Sequence, residues 1–349
     1  MKAVRVGNRL IGAGHPCFLV AEVGINHNGD LDLAHRLIDA AAESGADAAK
    51  FQSYRTEDFV IDRSIAYEYI SQGQRVVEKQ YDMFKRYELS PTALVELREQ
   101  CERRGLIFFS TPTSEEGVKD LVRVGVPLLK NGSDYLPHLP LIRAMARTHL
   151  PTVISTGMGT LAEIDDAVNA FRDAGGRDLV LLVCTSSYPA PPEDAHLRRI
   201  PSLGAATGCP VGLSDHTDGI IAAVGAVALG ACMIEKHFTL DKNLPGPDHR
   251  FSADPAELRA LVQGVRTLEK SLGQSTIGPT QSERLGRRDF RLSCVAARDL
   301  PIGHCLGESD IAFRRPGSGL PPKAQEWLLG RRLARSIAAG HVFLPEDLV

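Results

Sequence analysis

Eight short apolar segments alternate with longer segments of helical periodicity, and this alternation limits the possible folds of the chain more than any other feature. The apolar residues of the short segments are nearly continuous, which is typical of parallel strands that are buried on both faces. Eight parallel strands are the number that closes a barrel. We therefore predict strands at residues 18–23, 46–51, 106–110, 127–130, 152–156, 179–184, 211–213 and 232–236.

The helical segments between these strands begin with residues that cap helices. Asp30 precedes an amphipathic stretch, Ser90 is followed by Pro91, and both Thr160 and Asp254 have a glutamate three residues later. These are N-caps, an N1 proline and two capping boxes. An open doubly wound sheet is the alternative architecture, but the phosphate-binding glycine loop of that fold is missing. The predicted fold class is therefore α/β, with a (β/α)8 TIM barrel.

The chain is long enough for a second, smaller domain. We predict a barrel domain at residues 1–272, a linker rich in glycine and polar residues at 273–287, and a compact module of short strands and turns at 288–349. A module of about 60 residues is marginally stable alone, so we expect it to dock against another surface. The insertion at residues 54–90, which includes Tyr67, Tyr69 and Tyr81, predicts a lid or an additional element at the barrel mouth.

The composition excludes several classes of function. With 40 basic and 43 acidic residues, the formal charge of −3 provides no basic surface for nucleic acid or an anionic membrane. No apolar stretch is long enough to span a bilayer, and the first residues do not form a signal segment, so we expect a cytoplasmic protein. The seven cysteines are scattered without a CxxC pair and are expected to be reduced.

Two histidines follow the last two predicted strands. His216 and His237 would therefore lie on adjacent parallel strands, where two imidazoles can hold one divalent ion and leave positions open for water or substrate. The histidines lack the close spacing of a motif such as HxxxH, so two capping histidines in loops remain the alternative.

Nearly every predicted strand ends in polar residues, and in a TIM barrel the functional residues lie at these ends. Lys50 and Lys130, together with several hydroxyl groups, could hold a phosphate. A single serine or threonine in such a position is usually a helix cap, but buried lysines are rare without an anionic partner. Glu22 lies within the first strand, where a carboxylate requires a metal, a lysine or a catalytic task.

Several ordered motifs carry a resemblance to a known family. They lie at residues 21–29, 50–52, 110–112, 155–158, 184–189 and 245–249, and include Gly212-Leu-Ser-Asp-His-Thr217 and Ile234-Glu-Lys-His-Phe-Thr239. The chain strongly resembles the sialic acid synthase family, which comprises N-acetylneuraminate, legionaminate and pseudaminate synthases. Members end in an antifreeze-like (SAF, β-clip) domain with an Arg-Pro-Gly turn, as at Arg315-Pro316-Gly317.

This resemblance implies a reaction. Phosphoenolpyruvate would condense with an open-chain N-acylated amino sugar, either N-acetylmannosamine or 2,4-diacetamido-2,4,6-trideoxymannose, to give a nine-carbon 2-keto acid and phosphate. The family uses a divalent cation, typically manganese or magnesium, which His216 and His237 would hold. Glu22 would handle a proton or position water beside the metal.

The resemblance also implies the residues that bind each substrate. Phosphoenolpyruvate would contact Lys50, Thr111, Lys130, Ser133, Ser155, Ser186 and Ser214. The sugar would contact Gln52, Tyr188, Asp248 and Arg315. In the family the protein is a homodimer in which the antifreeze-like domain of one subunit covers the barrel mouth of the other, so Arg315 would act in trans.

Some positions depart from the family pattern. Ser186 occupies a place where some members have asparagine, and Tyr135 a place where an acidic residue is more frequent, which Asp134 could replace. The motifs are closer to neuraminate and legionaminate synthases than to pseudaminate synthases, which perform the same chemistry. Two different classes of protein also remain open. One is a Schiff-base aldolase with Lys50, Lys130 or Lys236 as nucleophile, and the second is a carbohydrate-binding or ice-binding protein.

Overall fold

The structure is a computed structural model that describes residues 2–349, and it divides into two compact units. The first unit extends to Gly273 and the second covers Gln274–Val349. No helix between residues 2 and 349 combines the length and the apolar composition that crossing a membrane requires.

The first unit contains a closed barrel of eight parallel strands. It is preceded by an antiparallel hairpin of β1 (Val4–Val6) and β2 (Arg9–Ile11) and interrupted by a second hairpin of β5 (Ala66–Ser71) and β6 (Gln74–Lys79). The barrel strands are β3 (Phe18–Gly24), β4 (Ala48–Ser53), β7 (Ile107–Pro112), β8 (Leu129–Asn131), β9 (Thr152–Ser155), β10 (Leu179–Cys184), β11 (Val211–Asp215) and β12 (Met233–His237). Each predicted segment overlaps one of these strands, so the predicted TIM barrel is confirmed.

Helices alternate with the barrel strands and cover their outer faces. They are α1 (Leu31–Glu43), α4 (Pro91–Arg103), α5 (Glu115–Val124), α6 (Leu139–Arg147), α7 (Leu161–Asp173), α8 (Arg199–Thr207), α9 (Ile221–Ala228) and α10 (Pro255–Leu272), while α2 (Thr56–Phe59) and α3 (Gln80–Tyr87) lie in the insertion between β4 and β7. Short 3-10 turns lie at Ser133–Tyr135 and Pro192–Asp194. The side chains of Asp30 and Ser90 accept hydrogen bonds from the first turns of α1 and α4, and capping boxes begin α7 and α10. The predicted helix starts are thus confirmed.

The barrel has two apolar layers. The larger one lies between the strands and the helices. The smaller one fills the lower interior, where Val4, Val6 and Ile11 of the first hairpin pack with Phe18 and Phe109. The hairpin, which the sequence analysis did not identify, therefore closes the N-terminal end and leaves the C-terminal end for polar residues.

The insertion after β4 consists of α2, the β5–β6 hairpin and α3. Its side chains form an apolar cluster around Tyr54, Met83 and Tyr87. Two hydrogen bonds attach the hairpin tip to the loop after β12: Gln72 Nε2 donates to the Asn243 carbonyl at 3.0 Å, and the Gly246 amide to Ser71 Oγ at 3.1 Å. The insertion therefore lies at the C-terminal end of the barrel.

The second unit is small and rich in turns. Its strands β13 (Ser293–Ala296) and β14 (Ile311–Arg314) pair antiparallel, and it contains α11 (Arg284–Asp289), α12 (Gln325–Leu328) and 3-10 turns at Gln281–Glu283, Glu308–Asp310, Pro322–Ala324 and Pro345–Asp347. Two equivalent polar clusters stabilise it. In each, a buried aspartate accepts from an arginine and a histidine, in the sets Arg298, His304, Asp310 and Arg335, His341, Asp347.

Candidate active site

Four charged side chains lie together inside the upper barrel, two carboxylates and two ammonium groups. Lys50 Nζ lies 2.8 Å from Glu22 Oε2 and 3.8 Å from Glu235 Oε2. Lys130 Nζ lies 3.8 Å from Glu235 Oε1. All four residues are at most 5% exposed. Because charges are costly to bury, this group must be electrically balanced in the free protein.

The charges within this group shift one another's pKa values. Burial raises the pKa of Glu22 to about 7, against the lowering effect of Lys50. Burial also opposes the charge on Glu235, but Lys130 and Lys50 hold the pKa of Glu235 below its usual value. For Lys50, burial is outweighed by Glu22 and Glu235, which raise its pKa, whereas burial lowers the pKa of Lys130. Glu22 is therefore the member that can exchange a proton near neutral pH.

Hydroxyl groups surround the two ammonium groups. Lys130 Nζ donates to Ser155 Oγ at 2.7 Å, and Lys50 Nζ donates to Thr111 Oγ1 at 3.2 Å. Ser214 Oγ donates to Glu235 Oε1 at 2.9 Å. These side chains come from different strands and form a common polar floor, as expected where the C-terminal ends of parallel strands converge.

Ser133 and Ser186 reach this region from two other strand ends. A Cβ atom on Gly157 would collide with both hydroxyls. Ser133 Oγ also accepts a hydrogen bond from the Gly157 amide at 3.1 Å. Gly157 therefore allows a close approach of the backbone and both serines, an arrangement that suits an anion.

A bulge in β3 positions Glu22. The pairing of β3 with β4 shifts between Glu22 and Gly24, and Gly24 has a φ of +54°. A Cβ on Gly24 would lie 3.2 Å from Glu22 Oε1 and 3.6 Å from Gln52 Nε2. The bulge thus brings Glu22 and Gln52 to one wall of the site.

The two predicted metal ligands lie next to each other at the ends of β11 and β12. The ring centroids of His216 and His237 are 5.3 Å apart. His216 Nδ1 lies 2.8 Å from the Thr185 carbonyl, so Nδ1 carries the hydrogen and Nε2 keeps a free lone pair. His237 Nδ1 is buried and receives no hydrogen bond from any residue between 2 and 349. Burial, and then the nearby positive charges, hold the pKa of His237 well below its usual value.

The donor set fits a divalent ion with open coordination positions. Asp248 Oδ2 lies 3.5 Å from His237 Nδ1, and burial raises the pKa of Asp248 to about 6. No three or more His, Cys, Asp and Glu side chains among residues 2–349 form a ready-made metal site. Two imidazoles, one with a buried nitrogen that makes no hydrogen bond to residues 2–349, are instead what a site completed by water or substrate would offer.

Aromatic side chains extend from the histidines toward the insertion. The Tyr188 ring lies 4.3 Å from the His216 ring and 5.3 Å from the Phe251 ring. Beyond them is a cavity of about 250 Å³ lined by Tyr67, Glu68, Tyr69, Ile70, Tyr188, Pro189, Pro247, Asp248, Arg250 and Phe251. This cavity adjoins the histidines through Tyr188 and is suited to hold part of a small organic molecule.

The remaining predicted residues lie elsewhere. Arg315 belongs to the second unit, where its guanidinium lies 5.4 Å from the Phe290 ring centre. Asp134 is exposed and Tyr135 half-buried, so neither joins the ion pairs of the barrel interior. Lys236 is buried and paired with Asp215.

Glu235 belongs to the Ile234–Thr239 motif but was not predicted as a site residue. A signal for it was present, because residues two apart on a strand face the same side and Glu235 precedes His237 by two. The same alternation places Lys236 on the opposite side, next to Asp215.

A closed parallel barrel with such groups at its strand ends defines a TIM-barrel enzyme. Residues 37–276 match the NeuB family, and residues 293–349 match the SAF domain. The chain belongs to the NeuB family, and the predicted resemblance to sialic acid synthases is confirmed.

Known proteins similar to the chain include named synthases. The chain is 40% identical to N,N'-diacetyllegionaminic acid synthase of Legionella pneumophila over 97% of this chain and 96% of that protein. It is 36% identical to pseudaminic acid synthase of Campylobacter jejuni over 95% and 96%. The crystal structure of N-acetylneuraminic acid synthetase from Leptospira borgpetersenii has a TM-score of 0.74 and 35% identity, covering 82% of this chain and 95% of that chain. The prediction of an enzyme of the sialic acid synthase type is thereby confirmed.

Proposed function

We propose that this enzyme condenses phosphoenolpyruvate with an open-chain N-acylated amino sugar and water, giving a nonulosonic acid and phosphate. The observation that carries the proposal is the pairing of Lys50 with Glu22 and of Lys130 with Glu235, next to the two histidines at the ends of β11 and β12. The relatives, which are named as synthases of legionaminic and pseudaminic acids, support the same class of product.

Phosphoenolpyruvate would bind at the polar floor of the barrel. Lys50 and Lys130 would exchange part of their pairing with carboxylates for pairing with the phosphate and the carboxylate of the ligand. The other donors would be the hydroxyls of Thr111, Ser133, Ser155, Ser186 and Ser214. Buried ammonium groups bind such an anion strongly because water does not screen them.

A divalent cation, manganese or magnesium, would be held by His216 and His237. The unpartnered His237 Nδ1 and the orientation of His216 by Thr185 support this assignment. When bound, such an ion supplies Lewis-acid polarisation of the sugar aldehyde.

The protein residues would then guide the bond changes. C3 of phosphoenolpyruvate attacks the aldehyde carbon and forms the new C–C bond, and water adds to C2. The tetrahedral intermediate expels phosphate by cleavage of the C–O bond, which leaves the 2-keto acid. Glu22, whose pKa is raised to about 7 by burial, is suited to hold a proton when phosphoenolpyruvate is bound, to give it to the oxygen of the attacked aldehyde, and then to take a proton from the water that adds to C2.

The sugar would extend from the histidines into the aromatic cavity, past Gln52, Tyr188 and Asp248. Aromatic rings and prolines form much of the cavity wall. Glu68, Asp248 and Arg250 also line the cavity, so both apolar and polar groups of a sugar find partners there. The relative named as N,N'-diacetyllegionaminic acid synthase supports a 2,4-diacetamido-6-deoxy sugar over N-acetylmannosamine. Pseudaminate synthase activity, by the same chemistry, is the alternative.

The active form would be a homodimer. In sialic acid synthases the antifreeze-like domain of one subunit covers the barrel mouth of the partner subunit. Arg315 of this chain lies in the corresponding SAF domain. Its guanidinium would then donate hydrogen bonds to an oxygen of the sugar bound in the other subunit.

A Schiff-base aldolase is the competing mechanism, and one observation favours it. Burial lowers the pKa of Lys130, as an amine nucleophile requires, and its pairing with Glu235 at 3.8 Å is looser than the pairs of Lys50 at 2.8 Å and Lys236 at 2.9 Å. Borohydride reduction in the presence of substrate would trap a covalent adduct on Lys130 only if this mechanism operates.

The test of the proposed function uses phosphoenolpyruvate labelled with oxygen-18 at the bridging position. The protein is incubated with manganese and a 2,4-diacetamido-6-deoxy sugar, and phosphate and product are analysed by mass spectrometry. We expect a nine-carbon 2-keto acid and phosphate that retains the label, because the C–O bond breaks. Label in the keto acid, or an adduct after borohydride, would contradict the proposal.

A further inference from the structure

A buried ion pair connects the two strands that carry the histidines. Lys236 Nζ lies 2.9 Å from Asp215 Oδ2, and the two side chains are 2% and 1% exposed. The residues also lie opposite each other in the register of β11 and β12. The pair therefore fixes the relative position of these strands at the level directly below the site.

This ion pair also encloses the backbone that follows His216. Asp215 Oδ1 accepts from the Thr217 amide at 3.0 Å and from Thr217 Oγ1 at 2.8 Å. Lys236 Nζ donates to the Thr217 carbonyl. The amide, the hydroxyl and the carbonyl of Thr217 are thus all bound by the ion pair.

Each member of the pair directly precedes one histidine in the chain. Asp215 precedes His216, and Lys236 precedes His237. On the other side of His216, its carbonyl accepts from the Ala190 amide at 2.9 Å. The backbone of His216 is therefore bound from two sides, and one of these sides also fixes the strand of His237.

Stability alone does not explain this arrangement. An apolar pair of similar volume is often as stabilising as a buried ion pair or more so, because no charge has to be desolvated. We propose that the Asp215–Lys236 pair is a positioning device that sets the separation and orientation of His216 and His237 for a divalent cation. This inference rests on the proposed function, since it assumes that the histidines bind the cation.

The test measures manganese affinity of the full-length, chelator-treated protein by electron paramagnetic resonance, with Tm recorded for each variant. The double variant Asp215→Leu/Lys236→Met removes both charges and leaves neither one unpaired. Its manganese Kd should rise about 10- to 100-fold, the usual effect of losing a residue that orients a metal ligand. The single variant Lys236→Arg keeps the charge and several donors, so its manganese Kd should stay close to that of wild type.

Two further variants separate positioning from general stability. Arg266→Met breaks a different ion pair, between Arg266 and Asp47. Asp47 accepts a hydrogen bond from the Leu19 amide near the start of β3, at the opposite end of the barrel from the histidines. Arg266→Met should lower Tm and leave the manganese Kd unchanged. Thr217→Val removes only the hydroxyl bond to Asp215, so it tests the device if the double variant does not fold, and should weaken manganese binding several-fold at nearly unchanged Tm.

The possible results distinguish the two proposals. If wild type binds manganese and the double variant binds it with the same Kd, only the positioning role is overturned. If the double variant does not fold, an unchanged Kd in Thr217→Val has the same consequence. A wild-type protein that binds no manganese would overturn the proposed metal site and the positioning role together.

Discussion

Binding of phosphoenolpyruvate should cause Glu22 to take up a proton. In the free protein burial raises the pKa of Glu22 to about 7, against the opposing effect of Lys50. At pH 8 such a group is about one-tenth protonated. The phosphate of the ligand, with a second pKa near 6, is already ionised at this pH. A trianion beside Lys50 offsets the positive charge that keeps Glu22 ionised, so the carboxyl group gains a proton.

The size of this uptake follows from Coulomb's law. One unit charge about 6 Å away, at an effective dielectric constant of about 20, contributes about 3 kcal/mol, or about two pKa units. The protonated fraction of Glu22 at pH 8 then rises from about 0.1 to about 0.9, which is an uptake of about 0.8 proton per site.

Isothermal titration calorimetry in two buffers with different ionisation enthalpies measures the uptake. Glu22→Gln should bind phosphoenolpyruvate with no uptake, because it has no titrating group at this position. Wild-type uptake close to zero, or the same uptake in Glu22→Gln, would refute the reasoning.

Three further predictions concern the second unit and the metal site. Burial opposes ionisation of Asp310, but its hydrogen bonds, including those from Arg298, lower its pKa to about 2. Because the folded pKa lies below the unfolded value, about 1–2 kcal/mol of stabilisation is present above about pH 4 and lost toward pH 2, with Arg298 partly screened. Hydrogen exchange of β13 should show this loss in wild type and not in Asp310→Asn. His237→Ala should abolish manganese binding and activity with the circular dichroism spectrum unchanged, and an active metal-free variant would contradict the assignment. If Arg315 acts in trans, inactive His237→Ala and Arg315→Ala subunits should regain about a quarter of wild-type activity when mixed, and no recovery would exclude the trans contact.

Local patterns predicted the barrel well, because most of its strands are continuous apolar runs and six of the eight helices that follow them begin with a capping side chain. The hairpin of β1 and β2 was missed, since three-residue strands give too short a pattern. The β5–β6 hairpin was detectable, because Tyr67 and Tyr69 alternate with exposed residues. The repeated clusters of the second unit were detectable too, since Arg298 and His304 recur 37 residues later as Arg335 and His341.

The site was predictable as a set of residues and less so as a set of contacts. The pairing of Lys50 with Glu22 and of Lys236 with Asp215 depends on which residues face each other across neighbouring strands. That register is set by the packing of the whole barrel, and a shift of one residue would turn each side chain to the other face.

Phosphate release tests the central claim most directly. The purified, chelator-treated enzyme is mixed with phosphoenolpyruvate and either N-acetylmannosamine or a 2,4-diacetamido-6-deoxy sugar, with and without manganese. We expect phosphate release that requires both manganese and a sugar, and faster release with the diacetamido sugar. Absence of release with every sugar, despite bound manganese, would contradict the proposed synthase reaction.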